Sequence, residues 1–272
     1  MAKTPRLFLI DGSALAYRSY FAFIRNPLIN SKGENTSAVF GYTRTLLDLL
    51  TQEKPEYIAV AFDTAEPTFR HERFVDYKAT RQKMPDELSD QWPRLKEVTD
   101  GLGVTLIEVP GFEADDVMGT LAKQAERGGL ETYLVTADKD LMQLVSPQVK
   151  IYNLRKVDNQ QEILDAAGVQ LKFGVPPERV IDMLALMGDS SDNIPGVRGI
   201  GEKTAVKLIQ DYGDLETVLT KAAEIKPKGV ADKILANIEM ARLSQELATI
   251  HTDVPLPTPQ LSWCQGRGMQ HA

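Results

Sequence analysis

Short apolar runs alternate with segments of helical periodicity through the first part of the chain. The runs are rich in β-branched and aromatic residues and end at polar or turn-forming positions, which is typical of buried strands. They predict strands over residues 6–10, 57–62, 104–109, 131–135 and 149–153. The intervening segments predict helices over residues 14–24, 37–52, 86–101 and 114 to about 127. Because strands that alternate with helices form parallel sheets, we predict an α/β fold with a central, mainly parallel sheet flanked by helices.

The pattern changes after the pair Pro176-Pro177. From there the chain consists of predicted helices joined by glycine-containing turns, over residues 178–187, 202–212 and 232–249. We therefore predict an α/β domain, a helical region and a tail or linker, over residues 1–176, 177–255 and 256–272. Within the first domain, residues 64–84 carry many charges and no core-facing stripe, which is typical of a functional or disordered segment.

Composition narrows the class of protein. With 43% hydrophobic and 25% charged residues among 272, the chain has the composition of a globular protein. The single Cys264 cannot form an internal disulfide, which favours a reducing compartment. The apolar run at residues 6–10 is too short for a signal peptide or a membrane span, so we expect a cytoplasmic protein with no membrane partner.

Acidic residues recur where the predicted strands end. Asp11, Asp63 and Asp138 lie at or just past the carboxyl ends of three strands, and Glu113 follows a fourth. Ligands of parallel sheets bind at this edge, so we expect these side chains to converge. Simple helix capping is the alternative explanation for residues 113–116, because acids are favoured in a first helical turn. The full candidate set is Asp11, Asp63, Glu113, Asp115, Asp116, Asp138, Asp140, Asp189 and Asp192.

Unless cations lie among them, carboxylates that converge in this way should either have raised pKa values or stay in water. Oxygen ligands without nearby cysteine or histidine suit Mg²⁺ or Mn²⁺, and nine acids exceed what one Mg²⁺ uses, so we predict two or more ions. Paired metals of this kind favour in-line displacement at phosphorus, which predicts phosphodiester hydrolysis. The formal charge of −7 becomes +2 once the nine acids are set aside, so the overall charge does not exclude a nucleic-acid partner.

A glycine-rich turn at residues 196–201 precedes the helix predicted from residue 202. Small residues there let backbone N–H groups approach a phosphate, and nearby lysines add positive charge. This is a helix–hairpin–helix signature, which holds duplex DNA by its backbone without reading sequence. A plain packing corner between two helices is the alternative. The predicted DNA contacts in this turn and helix are Gly199, Gly201, Lys203, Thr204 and Lys207.

A basic motif lies in the core-poor segment. Lys78 and Arg81 are three residues apart and share one face if the segment is helical. By themselves they fit an exposed charged surface. Opposite a metal site, they would neutralise a phosphate while Tyr77 stacks on a base. The other basic residues of this segment that we expect to contact DNA are Arg70, Arg73 and Lys83.

Together these motifs resemble the structure-specific 5′ nuclease family. The similarity is closest to the 5′→3′ exonuclease domain at the N-terminus of bacterial DNA polymerase I, and it extends to phage 5′ nucleases and flap endonucleases. It spans about residues 5 to 255. Six motifs carry it, in the expected order: Leu-Ile-Asp11-Gly-Ser, Ala-Phe-Asp63, Tyr77-Lys-Ala-Thr-Arg81, Gly-Phe-Glu113-Ala-Asp-Asp116, Thr-Ala-Asp138-Lys-Asp140 and Gly188-Asp-Ser-Ser-Asp192-Asn-Ile-Pro-Gly-Val-Arg-Gly-Ile-Gly201.

The resemblance implies a PIN-like domain, a helical arch over about residues 64–98, and a helix–hairpin–helix region that binds duplex DNA and a K⁺ ion. It implies that Lys78 and Arg81 contact the scissile phosphate and that Asp116 is catalytic. The residues implied to organise the catalytic metal are Asp11, Asp63, Glu113, Asp115 and Asp116. Those implied to hold a second metal are Asp138, Asp140, Asp189 and Asp192.

The implied activity is Mg²⁺-dependent removal of 5′ flaps and RNA primers, leaving a 5′ phosphate and a 3′ hydroxyl. The implied partners are flapped, nicked or primer-bearing DNA and RNA–DNA hybrids, bound by a monomer that is fused to, or acts with, a DNA polymerase. Two alternatives stay open: a PIN-type endoribonuclease that cuts single-stranded RNA, and a non-catalytic module that binds DNA junctions. A phosphatase with Asp11 as nucleophile is disfavoured, because no second Asp follows two residues later.

Overall fold

Six strands form one sheet in the computed structural model, which describes residues 4–157 and 160–256. The sheet order is β3-β2-β1-β4-β5-β6; the first five of these pair in parallel, and β6 pairs antiparallel with β5. The predicted, mainly parallel sheet is confirmed, whereas β6 was not predicted. The strand bounds are β1 (Arg6–Asp11), β2 (Tyr57–Ala61), β3 (Thr105–Ile107), β4 (Glu131–Val135), β5 (Val149–Val157) and β6 (Gln160–Leu164).

Helices cover both faces of this sheet. Those of the α/β part are α1 (Gly12–Ala22), α2 (Ser37–Asp48), α3 (Phe69–Arg73), α4 (Asp86–Ser89), α5 (Trp92–Gly101), α6 (Ala114–Arg127) and α7 (Ala166–Phe173). Those of the C-terminal region are α8 (Val180–Met187), α9 (Glu202–Tyr212), α10 (Leu215–Thr220), α11 (Lys228–Leu235) and α12 (Ile238–Ala248). The single helix predicted over residues 232–249 is therefore two. Nearly all of the predicted tail, residues 257–272, lies outside the described residues.

The strand order reverses at β1. Because β2 and β3 lie on one side of β1, and β4 and β5 on the other, the carboxyl ends of β1 and β4 border a topological switch point. Ile10 pairs with Val135 of β4, and Asp11 pairs with Ala61 of β2. The acids that follow these three strands therefore start from the same edge of the sheet.

Alternate residues of β1 point to opposite faces of the sheet, and each face has its own core. Phe8 and Ile10 are fully buried in a cluster formed with α1, α2 and α5. Leu7 and Leu9 belong to a second cluster that includes α6 and continues through the C-terminal helices. The C-terminal region thus shares a core with the α/β part, so packing fixes its position relative to the sheet. No helix in the described ranges combines the length and the apolar character needed to cross a bilayer.

The arch predicted over residues 64–98 is helical only in part. It contains α3, α4 and the start of α5, while residues 74–85 form turns and irregular backbone. Lys78 has a left-handed backbone, with φ of 56°, which interrupts any continuous helix at this point. Its backbone N–H donates to the carbonyl of Asp192 at 2.9 Å. The segment therefore folds back against the loop that follows α8.

Candidate active site

A pocket of about 500 Å³ opens at the carboxyl edge of the sheet. Lys78 and Arg81 line it from the segment between α3 and α4, and Tyr17, Met84 and Trp92 add apolar surface. Its acidic lining comes from three strand ends and the first turn of α6, namely Asp11, Asp63, Asp138 and Asp115. The structure thus brings together acids that are far apart in the chain.

Helix starts hold the acids in place. Asp11 caps α1, since its Oδ1 accepts the Ala14 N–H at 2.8 Å. Asp63 Oδ1 accepts the N–H of Ala114, the first residue of α6, at 3.0 Å. Glu113 caps α6 itself and forms a capping box with Asp116. Helix capping therefore operates here, as the alternative explanation for residues 113–116 proposed, but it operates together with convergence on one pocket.

Burial with too little counter-charge raises the pKa of four of these carboxyl groups. Burial raises the pKa of Asp11 to about 7, although its bond from a backbone N–H opposes the shift. Burial likewise raises the pKa of Asp115, Asp138 and Asp140, and the charge of Asp138 adds to the effect on the other two. Oδ1 of Asp115 and Oδ1 of Asp140 are buried without a hydrogen-bond partner in the described structure. Such oxygens suit a hard divalent cation.

Lys78 and Arg81 supply counter-charge on one side of the pocket. Lys78 Nζ lies 2.7 Å from Glu113 Oε1 and 3.7 Å from Asp192 Oδ2. An Arg81 guanidinium nitrogen lies 2.6 Å from Asp192 Oδ1. Burial opposes ionisation of Asp192, but Lys78 and Arg81 together hold its pKa below the ordinary value. These two basic side chains therefore pair with carboxylates that the sequence assigned to metal ions.

The loop over residues 188–194 carries the last two acids, Asp189 and Asp192. Its ends are joined by two backbone hydrogen bonds between Asp189 and Ile194, at 2.9 and 2.7 Å. Lys139 Nζ lies 2.9 Å from Asp189 Oδ1. Lys139 was not among the predicted site residues, although its position between the predicted ligands Asp138 and Asp140 was an available signal.

Tyr77 is not placed in this structure for the role that we predicted. We expected its ring to stack on a base, but the residue is only 4% exposed. Its hydroxyl lies 3.1 Å from Glu113 Oε2 and 3.0 Å from Asp192 Oδ2 and can donate to either. Burial and these two negative charges raise its pKa, so the hydroxyl stays protonated and remains a donor. In this structure the Tyr77 hydroxyl is therefore turned toward two carboxylates, and donates to one of them, instead of presenting its ring to DNA.

Arg70 and Asp116 also depart from prediction. Asp116 is fully buried, and both of its carboxylate oxygens accept from Arg70, each at 2.8 Å. Arg70 is only 2% exposed, so it is not available for contact with DNA in this structure. Both oxygens of Asp116 already accept hydrogen bonds from donors of the protein, whereas Oδ1 of the neighbouring Asp115 has none within the described residues, which argues against the metal-binding and catalytic roles assigned to Asp116.

The other predicted DNA contacts lie on the surface outside the pocket. Arg73 pairs with Glu246 at 2.8 Å, and Lys83 pairs with Asp86 at 3.2 Å. Gly199 has φ of 82° in the turn before α9, and its carbonyl accepts from the Lys233 ammonium at 2.9 Å. Within the turn and first half of α9 lie the remaining predicted contacts, Gly201, Lys203, Thr204 and Lys207.

The carboxylates suit divalent cations by their chemistry, but they are not yet arranged as a coordination shell. In residues 4–157 and 160–256, no three acidic, histidine or cysteine side chains are placed to hold a metal ion as they stand. Ions would take oxygens that now pair with lysine and arginine, together with the unpartnered ones. The residues that could hold one ion are Asp11, Asp63, Glu113 and Asp115, and those that could hold a second are Asp138, Asp140, Asp189 and Asp192.

Two family models match nearly the whole chain. Residues 6–174 match the 5′-3′ exonuclease N-terminal resolvase-like domain, and residues 175–270 match the 5′-3′ exonuclease C-terminal SAM fold. The chain belongs to the 5′-3′ exonuclease family. The resemblance predicted from the six motifs is therefore confirmed.

Curated relatives of this 5′-3′ exonuclease chain are much longer proteins. DNA polymerase I of Bacillus subtilis is 44% identical over 257 residues, which are 94% of this chain and 29% of that protein. A thermostable DNA polymerase I of Thermus thermophilus is 44% identical over 262 residues, which are 96% of this chain and 30% of that protein. The chain thus spans a little under a third of the length of these relatives.

Solved structures of similar fold confirm the predicted fold class. A T5 5′-exonuclease with bound zinc has a TM-score of 0.75 at 22% identity, covering 91% of this chain and 90% of that one. A T5 flap endonuclease in a pseudo-enzyme–product complex with DNA and metal ions has a TM-score of 0.73 at 21% identity, with the same coverage. The catalytic core of Rad2 with a DNA substrate has a TM-score of 0.57 at 17% identity, covering 92% and 82%.

Asp115→Asn should stabilise the metal-free exonuclease chain, because it removes a carboxylate whose ionisation is opposed by burial and by neighbouring acids. We expect the unfolding midpoint at pH 8 in EDTA to rise by several degrees, since about 1 kcal/mol corresponds to roughly 2–4 °C in a chain of this size. Asp100→Asn, at an exposed acid near the end of α5, is the matched control and should change little. An unfolding midpoint for Asp115→Asn at or below that of the parent would show that the Asp115 carboxylate does not destabilise the metal-free fold.

Proposed function

We propose that this chain is a divalent-metal-dependent, structure-specific 5′→3′ exonuclease and flap endonuclease. It would hydrolyse DNA phosphodiesters and leave a 5′ phosphate and a 3′ hydroxyl. The observation that carries the proposal is the pocket where acids from three strand ends and α6 face Lys78 and Arg81, in a chain of this family. Bound Mg²⁺ or Mn²⁺ would supply Lewis acidity for in-line displacement at phosphorus.

Lys78 and Arg81 would act on the scissile phosphate. Both line the pocket, and both are held now by ion pairs with Glu113 or Asp192. Cationic donors beside a phosphoryl group stabilise the negative charge that develops during displacement. Tyr77 supports this arrangement, because its hydroxyl donates to one of the same two carboxylates.

The turn before α9 would hold duplex DNA without reading its sequence. In the described structure no side chain caps the start of α9, so N–H groups of its first turn remain suited to a phosphate. Lys203 and Lys207 would add positive charge beside it. A K⁺ ion bound by carbonyls of this turn is part of the proposal, with the Gly199 carbonyl already engaged by Lys233.

The substrates and partners proposed are flapped, nicked or primer-bearing DNA, including an RNA primer in a hybrid duplex. Support comes from relatives named DNA polymerase I and from neighbours solved with DNA. A monomer that acts in the cytoplasm, joined to or working with a DNA polymerase, completes the proposal.

Single-turnover cleavage of a 5′-labelled flap duplex tests the proposed function, beside single-stranded RNA of matched sequence. We expect cutting near the flap junction with Mg²⁺, no cutting with EDTA, and little cutting of the RNA. Preferential cutting of the RNA would instead support the PIN-type endoribonuclease. Junction binding without any cleavage would support the non-catalytic module.

Lys78→Met should lower the single-turnover rate on the flap by about 10²–10³-fold, the usual effect of removing one charge-stabilising donor. The dissociation constant of the flap should stay within roughly fivefold of the parent, the range expected for one partly exposed charge. Lys83→Met is the matched control for the cleavage rate of the bound flap, because Lys83 lies in the same segment, is almost fully exposed and does not line the pocket. As a predicted DNA contact, Lys83 serves as a control for the rate and not for the dissociation constant. A change in dissociation constant alone would make Lys78 a docking residue.

A further inference from the structure

Arg70 makes a dense set of polar contacts in the described structure. It lies on α3 and is 2% exposed, and its two terminal nitrogens donate to the two carboxylate oxygens of Asp116 at 2.8 Å. The same guanidinium donates from Nε to the Leu247 carbonyl at 2.9 Å and from a terminal nitrogen to the Thr249 carbonyl at 2.8 Å. One side chain thus joins α3, the start of α6 and the end of α12.

Asp116 completes the junction from its own side. Besides Arg70, its Oδ1 accepts the backbone N–H of His251 at 2.8 Å, and its Oδ2 accepts the N–H of Glu113 at 3.3 Å. Glu113 also lies 3.5 Å from the Arg70 guanidinium. The carboxylate of Asp116 is therefore saturated by donors, and its bond to the backbone of Glu113 fixes the entry of the chain into α6.

The contacts around this pair make the junction rigid. The Phe69 ring lies 4.8 Å from the His251 ring. Gly119 of α6 lies so near Ile250 that a Cβ on it would come within 2.6 Å of that side chain. The segment over residues 247–251 is thus clamped between α3 and α6. Lys78, which lines the pocket, follows the end of α3 by five residues.

We propose that Arg70 and Asp116 form a positioning pair that holds Glu113 and Asp115 in place for metal binding and couples them, through residues 247–251, to the segment that carries Lys78. Asp116 would then be neither a metal ligand nor a catalytic group, and Arg70 would not contact DNA. The inference rests on the proposed function for the identity of the ligands. Its test measures metal binding and not cleavage, so the inference and the proposed function can be contradicted separately.

The chemistry of the pair explains the choice of residues. A buried ion pair offsets its desolvation only when the geometry is good and the remaining donors and acceptors are satisfied. The planar fork of Arg70 meets Asp116 with two parallel bonds and still reaches two carbonyls. Lysine at this position would keep the charge but lose the fork, so it could not tie all three segments together.

Mn²⁺ affinity of Arg70→Met, measured by isothermal titration well below its unfolding midpoint, tests the proposal. We expect Mn²⁺ binding to weaken about tenfold or more, the usual effect of losing an outer-shell partner. If Asp116 were a ligand, removing its competing cation would instead strengthen Mn²⁺ binding. A lower midpoint with unchanged Mn²⁺ affinity would reduce the pair to a purely structural role. Unchanged Mn²⁺ affinity with weaker flap binding would make Arg70 a DNA contact. Each of these three results would overturn the proposal.

Arg70→Lys keeps the experiment decisive if Arg70→Met does not fold, because it leaves the buried charge of Asp116 paired. We expect Mn²⁺ affinity between those of the parent and Arg70→Met, whereas an affinity equal to or above that of the parent would contradict the proposal. Arg73→Met is the matched control on the same helix. Arg73 is exposed and paired with Glu246, so its loss should leave Mn²⁺ binding unchanged.

Discussion

Mutual repulsion among carboxylates at one edge of a parallel sheet is the constraint on which the rest of this structure depends. The sheet places Asp11, Asp63 and Asp138 at neighbouring strand ends, and the start of α6 adds Asp115. Burial and the neighbouring negative charges make ionisation of Asp11, Asp115 and Asp138 unfavourable. Basic side chains and the Tyr77 hydroxyl of the same chain lie next to acids of this site. The turn after α3 folds inward because its lysine, arginine and tyrosine side chains contact Glu113 at this edge and Asp192 in the loop after α8.

Much of the fold could be predicted because the central strands β1 and β2 are buried on both faces and consist largely of continuous apolar runs. The sixth strand could not, because Gln160–Leu164 is a polar edge strand that follows β5 almost directly. The helix predicted over residues 86–101 is divided into α4 and α5, and this break could not be predicted either. It occurs where buried Gln91 accepts the backbone N–H groups of Ala38 and Val39, at 3.0 and 3.2 Å, which satisfies the start of α2. Such a capping contact spans 53 residues and leaves no periodic signal.

In the site, too, some features followed from the local sequence pattern, whereas others depend on long-range contacts. Convergence of acids followed from chain order, because any residue at a parallel strand end must reach the same edge. The roles of Asp115 and Asp116 did not follow, because successive helical residues point about 100° apart. One faces the pocket and the other faces residues 247–251. The burial of Tyr77 and Arg70 could not be predicted for a related reason. Their sequence context shows charge and aromaticity, but only tertiary packing shows that both are buried and bonded inward.

The central claim is that these carboxylates jointly bind divalent cations and release Lys78 when they do so. Anomalous scattering from crystals soaked in Mn²⁺ tests it most directly, because the method locates the ions without reference to activity. The account predicts Mn²⁺ peaks among Asp11, Asp63, Asp115 and Asp138, with Lys78 Nζ moved away from the Glu113 carboxylate it now contacts at 2.7 Å. Absence of any peak there, at an Mn²⁺ concentration that supports flap cleavage in solution, would contradict it.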